Sequence, residues 1–340
     1  MIGTEGPGRV SIGLRQAPER EGAWRFFLRE GCSGVKRDGV FQGLPVRLLL
    51  SLAAIGPGLL GATRPLAAPT AFSAGVRPPA GVETLNTRPD LRNDPRVMAF
   101  LQAYGPLIDE VTFQENDAVF TVGERSIHFQ DGRMLEAGRL DQADQYDPFF
   151  FPYSLGPLTE PPHPEEGPAQ STDVLEVLFG RKESEIRRRC ESITFLGRRL
   201  FVNTLAAGPL RTVEQEILAS ARRDPEVARW IEELEIAYSF MSKGIAGSSS
   251  RSYHSWGLAV DLVPESYGGK QVYWRWSRVF NWDGWHRIPL AERWSPPRAV
   301  VEAFERHGFL WGGKWAHFDT IHFEYRPEIL HYNRMLEAAQ

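Results

Sequence analysis

The sequence predicts an α+β protein, with an antiparallel sheet flanked by helices and a small β-rich region ahead of it. Three observations carry this. Short runs that alternate apolar and polar residues cluster at 111–129 and recur at 257–263 and 320–325. Helical spacings with their own start signals lie between and around the later runs. No period repeats along the 340 residues.

In chain order, residues 1–45 are charged and Gly-rich with little periodicity. They read as a disordered extension, or as sequence upstream of a true start near Val40 or Val46. Leu48 to Ala62 (LLLSLAAIGPGLLGA) follows Arg47 and precedes small residues. A basic flank, a short apolar run and an A-x-A-like exit suggest a signal peptide and cleavage region over 46–75. Gly56, Pro57 and Gly58 break the run, so no stable membrane span is expected beyond that segment. The protein is then expected to be secreted or periplasmic, or membrane-tethered if the signal is not cleaved. Residues 76–92 read as a linker.

An accessory region is expected over 93–180. A short helix spans 94–104. VTFQ (111–114), AVFTV (118–122) and SIHFQ (126–129) form a small antiparallel sheet, punctuated by Asn116-Asp117, Gly123-Glu124 and Asp131-Gly132. Residues 141–170, rich in Pro, read as an extended loop.

A catalytic domain is expected over 181–340. Pro209 is expected to open a helix with Leu210, Val213, Ile217 and Ala221 on one face. Asp224-Pro225 opens the next, with Val227, Ile231 and Leu234 as its stripe. Ser295-Pro296 is expected to cap a third, carrying Val300, Val301 and Phe304 and stopping at Gly308. Alternation in GLAVDLV (257–263) puts Asp261 opposite Leu258, Val260 and Leu262. In TIHFEY (320–325) it puts His322 and Glu324 opposite Ile321, Phe323 and Tyr325.

Composition excludes some chemistry. A net charge of -4 gives no basic footprint for nucleic acid. The two cysteines, Cys32 and Cys190, form no CxxC pair, which excludes a thiolate zinc site and a disulfide framework. The Trp residues gather in the C-terminal third. Those between Tyr267 and Trp294 line an aromatic surface or pack as a satellite core beneath a long loop.

Two clusters can carry chemistry. His254 and Asp261 lie in SYHSWGLAVD (252–261), where Gly257 permits a tight turn, and His322 lies in DTIHFE (319–324). Two imidazoles and a carboxylate make a three-ligand zinc set that keeps a fourth position for water. Asp319 offers a carboxylate outside that set to take the water's proton. Glu324 either orients a ligand imidazole or forms a salt bridge. His317, His286 and Asp283 are weaker candidates.

SYHSWGLAVD, WGGKW (311–315) and DTIHFE together resemble the zinc D-alanyl-D-alanine carboxypeptidase family. That family includes the VanX- and VanY-like vancomycin-resistance enzymes and the L-alanyl-D-glutamate endopeptidases of phage lysins. The resemblance covers roughly residues 190–332. It implies His254, Asp261 and His322 as ligands of Zn2+, Asp319 as catalytic acid/base and Ser252 as a substrate contact. It implies peptidoglycan stem peptides as the partner. Relatives also carry an upstream arginine. The matching segment here, Ser239 to Gly247, holds Lys243 instead, and Arg251 follows in the adjacent loop. Lysine keeps the charge but not the planar fork. The resemblance implies a carboxypeptidase, with an endopeptidase as one alternative and a non-catalytic cell-wall binding module as another.

Overall fold

The computed structural model describes residues 90–164, 170–242, 244 and 250–339. The expected extension, the signal segment, the linker up to residue 89 and Lys243 lie outside the described residues. Among the described residues the architecture is α+β, with two four-stranded antiparallel sheets and a two-stranded hairpin. Among the described residues no helix is long and apolar enough to cross a membrane.

Asp94 accepts a hydrogen bond from the Arg96 amide and starts helix α1 (Pro95–Tyr104), with Pro at its first position. A meander follows: β1 (Glu110–Phe113), β2 (Ala118–Val122), β3 (Arg125–Gln130) and β4 (Arg133–Leu135). Asp131 (φ 48°) and Gly132 (φ 81°) close the last hairpin, both in the left-handed region that such a tight turn demands. Phe120 pairs with Ile127, and Phe129 with Met134, so one face of the meander is apolar and buried.

Beyond the Pro-rich loop come α2 (Asp173–Phe179), α3 (Glu183–Arg187) and the hairpin β5 (Cys190–Phe195) and β6 (Arg198–Asn203). Helix α4 (Thr204–Ala221) starts five residues before Pro209, which corrects the expected start. The Asn203 side chain accepts from the Leu205 amide and caps it. Pro209, inside the helix, only withholds one N–H from the ladder. Helix α5 (Pro225–Glu233) opens on Asp224 as expected, but Leu234 already belongs to β7 (Leu234–Tyr238).

Strand β8 (Ala259–Pro264), helix α6 (Trp274–Phe280), helix α7 (Arg298–Arg306), β9 (Phe309–Trp311), β10 (His322–Tyr325) and helix α8 (Pro327–Ala338) complete the chain. Ser295 does not cap α7: its hydroxyl donates to the Pro296 carbonyl, and the helix begins at Arg298. Pro296 precedes another proline, which disfavours helical backbone there.

The second sheet runs β7-β8-β10-β9. Helix α7 covers one face, where Phe304 stacks on Phe323 with centroids 3.9 Å apart. The meander's apolar face and this sheet share one continuous core, from Val97 to Leu330. Buried polar contacts also tie residues 93–180 to those beyond 181. Tyr104 donates to Glu328 (2.7 Å), which pairs with Arg326 (2.6 Å). Tyr153 donates to Glu305 (2.5 Å), which also pairs with Lys314 (2.5 Å).

Candidate metal centre

Antiparallel pairing sets the base of the site. Tyr238 on β7 stands opposite Asp261 on β8, and Asp261 stands opposite His322 on β10. Directly paired residues share a face, so the three side chains form one row across three strands. This is the face away from Phe323 and α7.

His254 comes from a short 3-10 turn, Tyr253–Trp256, laid over that row. The Ser252 hydroxyl accepts from the His254 amide (3.4 Å) and caps the turn. Gly257 ends it at φ 67°, and a Cβ there would sit 2.8 Å from the Asn203 nitrogen and 3.1 Å from Cys190 Sγ. Both backbone angle and space therefore require glycine. The hairpin braces the turn in return. The Asn203 amide donates to Gly257 O, and the Asn203 side chain donates to Trp256 O. Burial pushes the Cys190 thiol up to about 11, which disfavours its thiolate at neutral pH.

His254, Asp261 and His322 are all buried. His254 Nε2 lies 3.1 Å from Asp261 Oδ1 and 3.2 Å from His322 Nδ1, and His322 Nδ1 lies 2.6 Å from Asp261 Oδ1. The outer nitrogens fix the rings. His254 Nδ1 faces the Ser239 carbonyl at 2.7 Å, an acceptor only, so this nitrogen carries the proton and Nε2 points its lone pair inward. His322 Nε2 likewise faces Glu324 Oε1 at 3.1 Å, leaving Nδ1 inward. Glu324 thus touches a ring of the trio from the same strand face, as the alternation predicts.

Three electron-rich atoms this close call for a positive charge between them. Burial disfavours ionisation of Asp261, yet His254 and His322 overcome it and hold the carboxyl well below the usual range. Burial also opposes a charge on His322, but Asp261 and Glu324 prevail and push it up to about 10. A proton or a metal ion can supply the charge. Two imidazole nitrogens and one carboxylate, each with its outer atoms already engaged, are a donor set that fits zinc.

Tyr238 is a member of the site that sequence reasoning missed. Its ring stacks on His254 (5.6 Å, 28°) and its hydroxyl hydrogen-bonds Asp261. Burial, then the charge of Asp261, hold this phenol above its usual range. No sequence cue gives the register of β7, which starts directly where α5 ends.

Asp319 sits in the turn before β10. Its amide donates to Gly312 O, and the His322 amide donates back to Asp319 O. Gly312 is packed so closely that a Cβ would lie 2.5 Å from Asp319 O. Asp319 also bridges to Tyr273. Its charge reaches three phenols: after burial, it helps raise Tyr238, Tyr267 and Tyr273, the last to about 12. The aromatic segment 267–273 therefore borders the candidate base, which sequence reasoning also missed.

The remaining candidates are placed as follows. The Arg251 guanidinium lies over the Trp256 ring (4.4 Å) and donates to Arg181 O. His317 packs edge-on to Trp274 and near Trp285, and His286 packs against Trp285 and His163. Trp285, Ile288 and Phe318, with Trp274 against them, form the small second core foreseen for the insertion. Asp283 is exposed.

No solved structure matches the chain. Residues 246–325 match the family model described as D-alanyl-D-alanine carboxypeptidase. The matched stretch holds His254, Asp261, Asp319, His322 and Glu324. Over residues 246–325, then, the chain is similar to the D-alanyl-D-alanine carboxypeptidases, the peptidase family that its motifs resemble.

Proposed function

We propose that this chain is an exported, zinc-dependent D-alanyl-D-alanine carboxypeptidase acting on peptidoglycan stem peptides. The observation that carries the reading is the buried convergence of His254 Nε2, Asp261 Oδ1 and His322 Nδ1 inside the segment that matches the peptidase family. These three would hold the ion. A zinc ion supplies Lewis acidity there, towards water and towards a scissile carbonyl.

The chain's own residues do the rest. Ser239 O and Glu324 hold the two imidazoles in the ligating tautomer. Tyr238 steadies the Asp261 carboxylate. Asp319 takes the proton of the attacking water and passes it to the departing amine. Ser252 accepts from the His254 amide, which leaves its own O–H as a donor towards substrate. Lys243 and Arg251 are the cations proposed to meet the substrate's carboxylate or the developing oxyanion.

The test is incubation of the purified full chain with peptidoglycan fragments, with and without a chelator, and product identification by mass. Chelator-sensitive release of terminal D-Ala is the expected result. Internal cleavage would make the protein an endopeptidase, and zinc binding without cleavage would make it a binding module. Asp319→Ala should retain zinc while turnover falls by about 10²–10⁴-fold. Parental turnover in that variant would remove Asp319 from the role of base.

A further inference from the structure

Among the described residues, six large hydrophobic side chains are strongly exposed, and three of them fall within four positions: Val279 (75%), Phe280 (89%) and Trp282 (67%). They crown the end of α6. The tip is held firmly. The Asn281 amide donates to Ser277 O, and Asn281 O accepts from the Trp285 amide, which ties the tip to the helix below and the turn after it. Below, Trp274 and Trp285 meet at 5.1 Å over the buried Phe318. A rigid base with an apolar crown in water is a surface awaiting a partner.

Charge identifies the partner. Arg275 and Arg287, before and after the tip in sequence, are exposed, and the Arg278 guanidinium lies over the Trp282 ring at 4.0 Å. Against these three cations the segment 274–287 holds one acid, Asp283. A sugar chain is a poor match, because Val279 and Phe280 offer no hydrogen-bonding group and stand out from the surface. Exposed Trp, Phe and Val in a segment with three arginines and one acid match the boundary between anionic headgroups and acyl chains.

We propose that the Val279–Trp282 tip docks on an anionic lipid surface. The proposal is independent of the metal site, but it has a spatial consequence for it. Tyr273, the residue before α6, bridges to Asp319, and the seven residues of α6 span about 10 Å. Docking therefore brings the candidate base close to the lipid headgroups.

The test uses the full chain with vesicles of phosphatidylcholine alone or mixed with phosphatidylglycerol, each prepared with brominated acyl chains. Tryptophan fluorescence should be quenched mainly by the anionic vesicles, and less at high salt. Trp282→Phe should remove most of that quenching. Val279→Ser with Phe280→Ser should lower the quenching at Trp282 at least tenfold while hydrolysis of a soluble peptide stays unchanged. The apolar run at 48–62 is common to all variants, and quenching at Trp282 reports the tip alone. Unchanged quenching in Trp282→Phe overturns the proposal. So does a serine variant whose Trp282 is quenched like the parent's, or one that loses binding to peptidoglycan sacculi in place of vesicles.

Discussion

The two four-stranded sheets of this chain are both antiparallel, yet they handle polar groups in opposite ways. In strands β1–β3 of the meander burial alternates along each strand, with one face towards the core and the other towards solvent. In the second sheet β8 is buried at all six positions. Helix α7 dries one face, and the other holds Tyr238, Asp261 and His322. On a wet face a polar side chain finds its own partners in water. On a dry face it needs a partner supplied by the fold, because an unpaired buried charge is strongly destabilising. Every polar member of the second sheet's row has one, which explains why the site is so interlocked.

Substitutions can break or sharpen that contrast. The largest effect is expected at the rim of the second sheet, for Lys314→Met. It leaves Glu305 buried without its cation and should cost about 3–5 kcal/mol at neutral pH in denaturant unfolding. Burial already raises Glu305 against the pull of Lys314 and Tyr153. A carboxyl raised in the folded state is best tolerated in acid, where it is protonated, and loses stability as pH rises through its folded pKa. The cost of Lys314→Met should therefore shrink towards acid; a constant cost would show that the ion pair does not govern it.

Next is Gly257→Ala, where both the positive φ and the approach to Asn203 are disturbed. A loss of about 1–3 kcal/mol from the backbone alone is expected, with weaker metal uptake because His254 rides on that turn. An unchanged melting curve would mean the turn relaxes freely. Tyr238→Phe should keep the fold and lower metal affinity about 10–100-fold, the range for outer partners of a ligand. Equal affinity by competition with a chelating dye would make Tyr238 a packing residue. The smallest effect belongs to the meander's wet side. Glu110→Gln on β1 should change stability by less than about 0.5 kcal/mol. A larger change would mean that this face is covered.

The same contrast governs what could be read from sequence. The meander was legible because its alternation shows which face is wet. The trio was legible because its members sit in dense local motifs, SYHSWGLAVD and DTIHFE. The hairpin β5–β6 escaped because its turn, Leu196-Gly197, puts a leucine at φ 46° where Asn or Asp would have signalled it. Pro209 misled because a proline usually marks a helix start, and here Asn203 caps the helix earlier. Tyr238 and the network of Tyr153, Glu305 and Lys314 were invisible for another reason: their partners lie far away in sequence, and only strand register and packing bring them together.

That register has a consequence for how the protein matures. Asp261 and His322 face each other across a single rung of β8 and β10. A slip of one residue would turn His322 to the side of α7 and leave Asp261 without its neighbour. An ion that needs both would be captured only by molecules whose strands are paired correctly, and its capture would lock that pairing in place. Metal content would then serve as a count of correctly assembled molecules, a proofreading of topology by coordination chemistry.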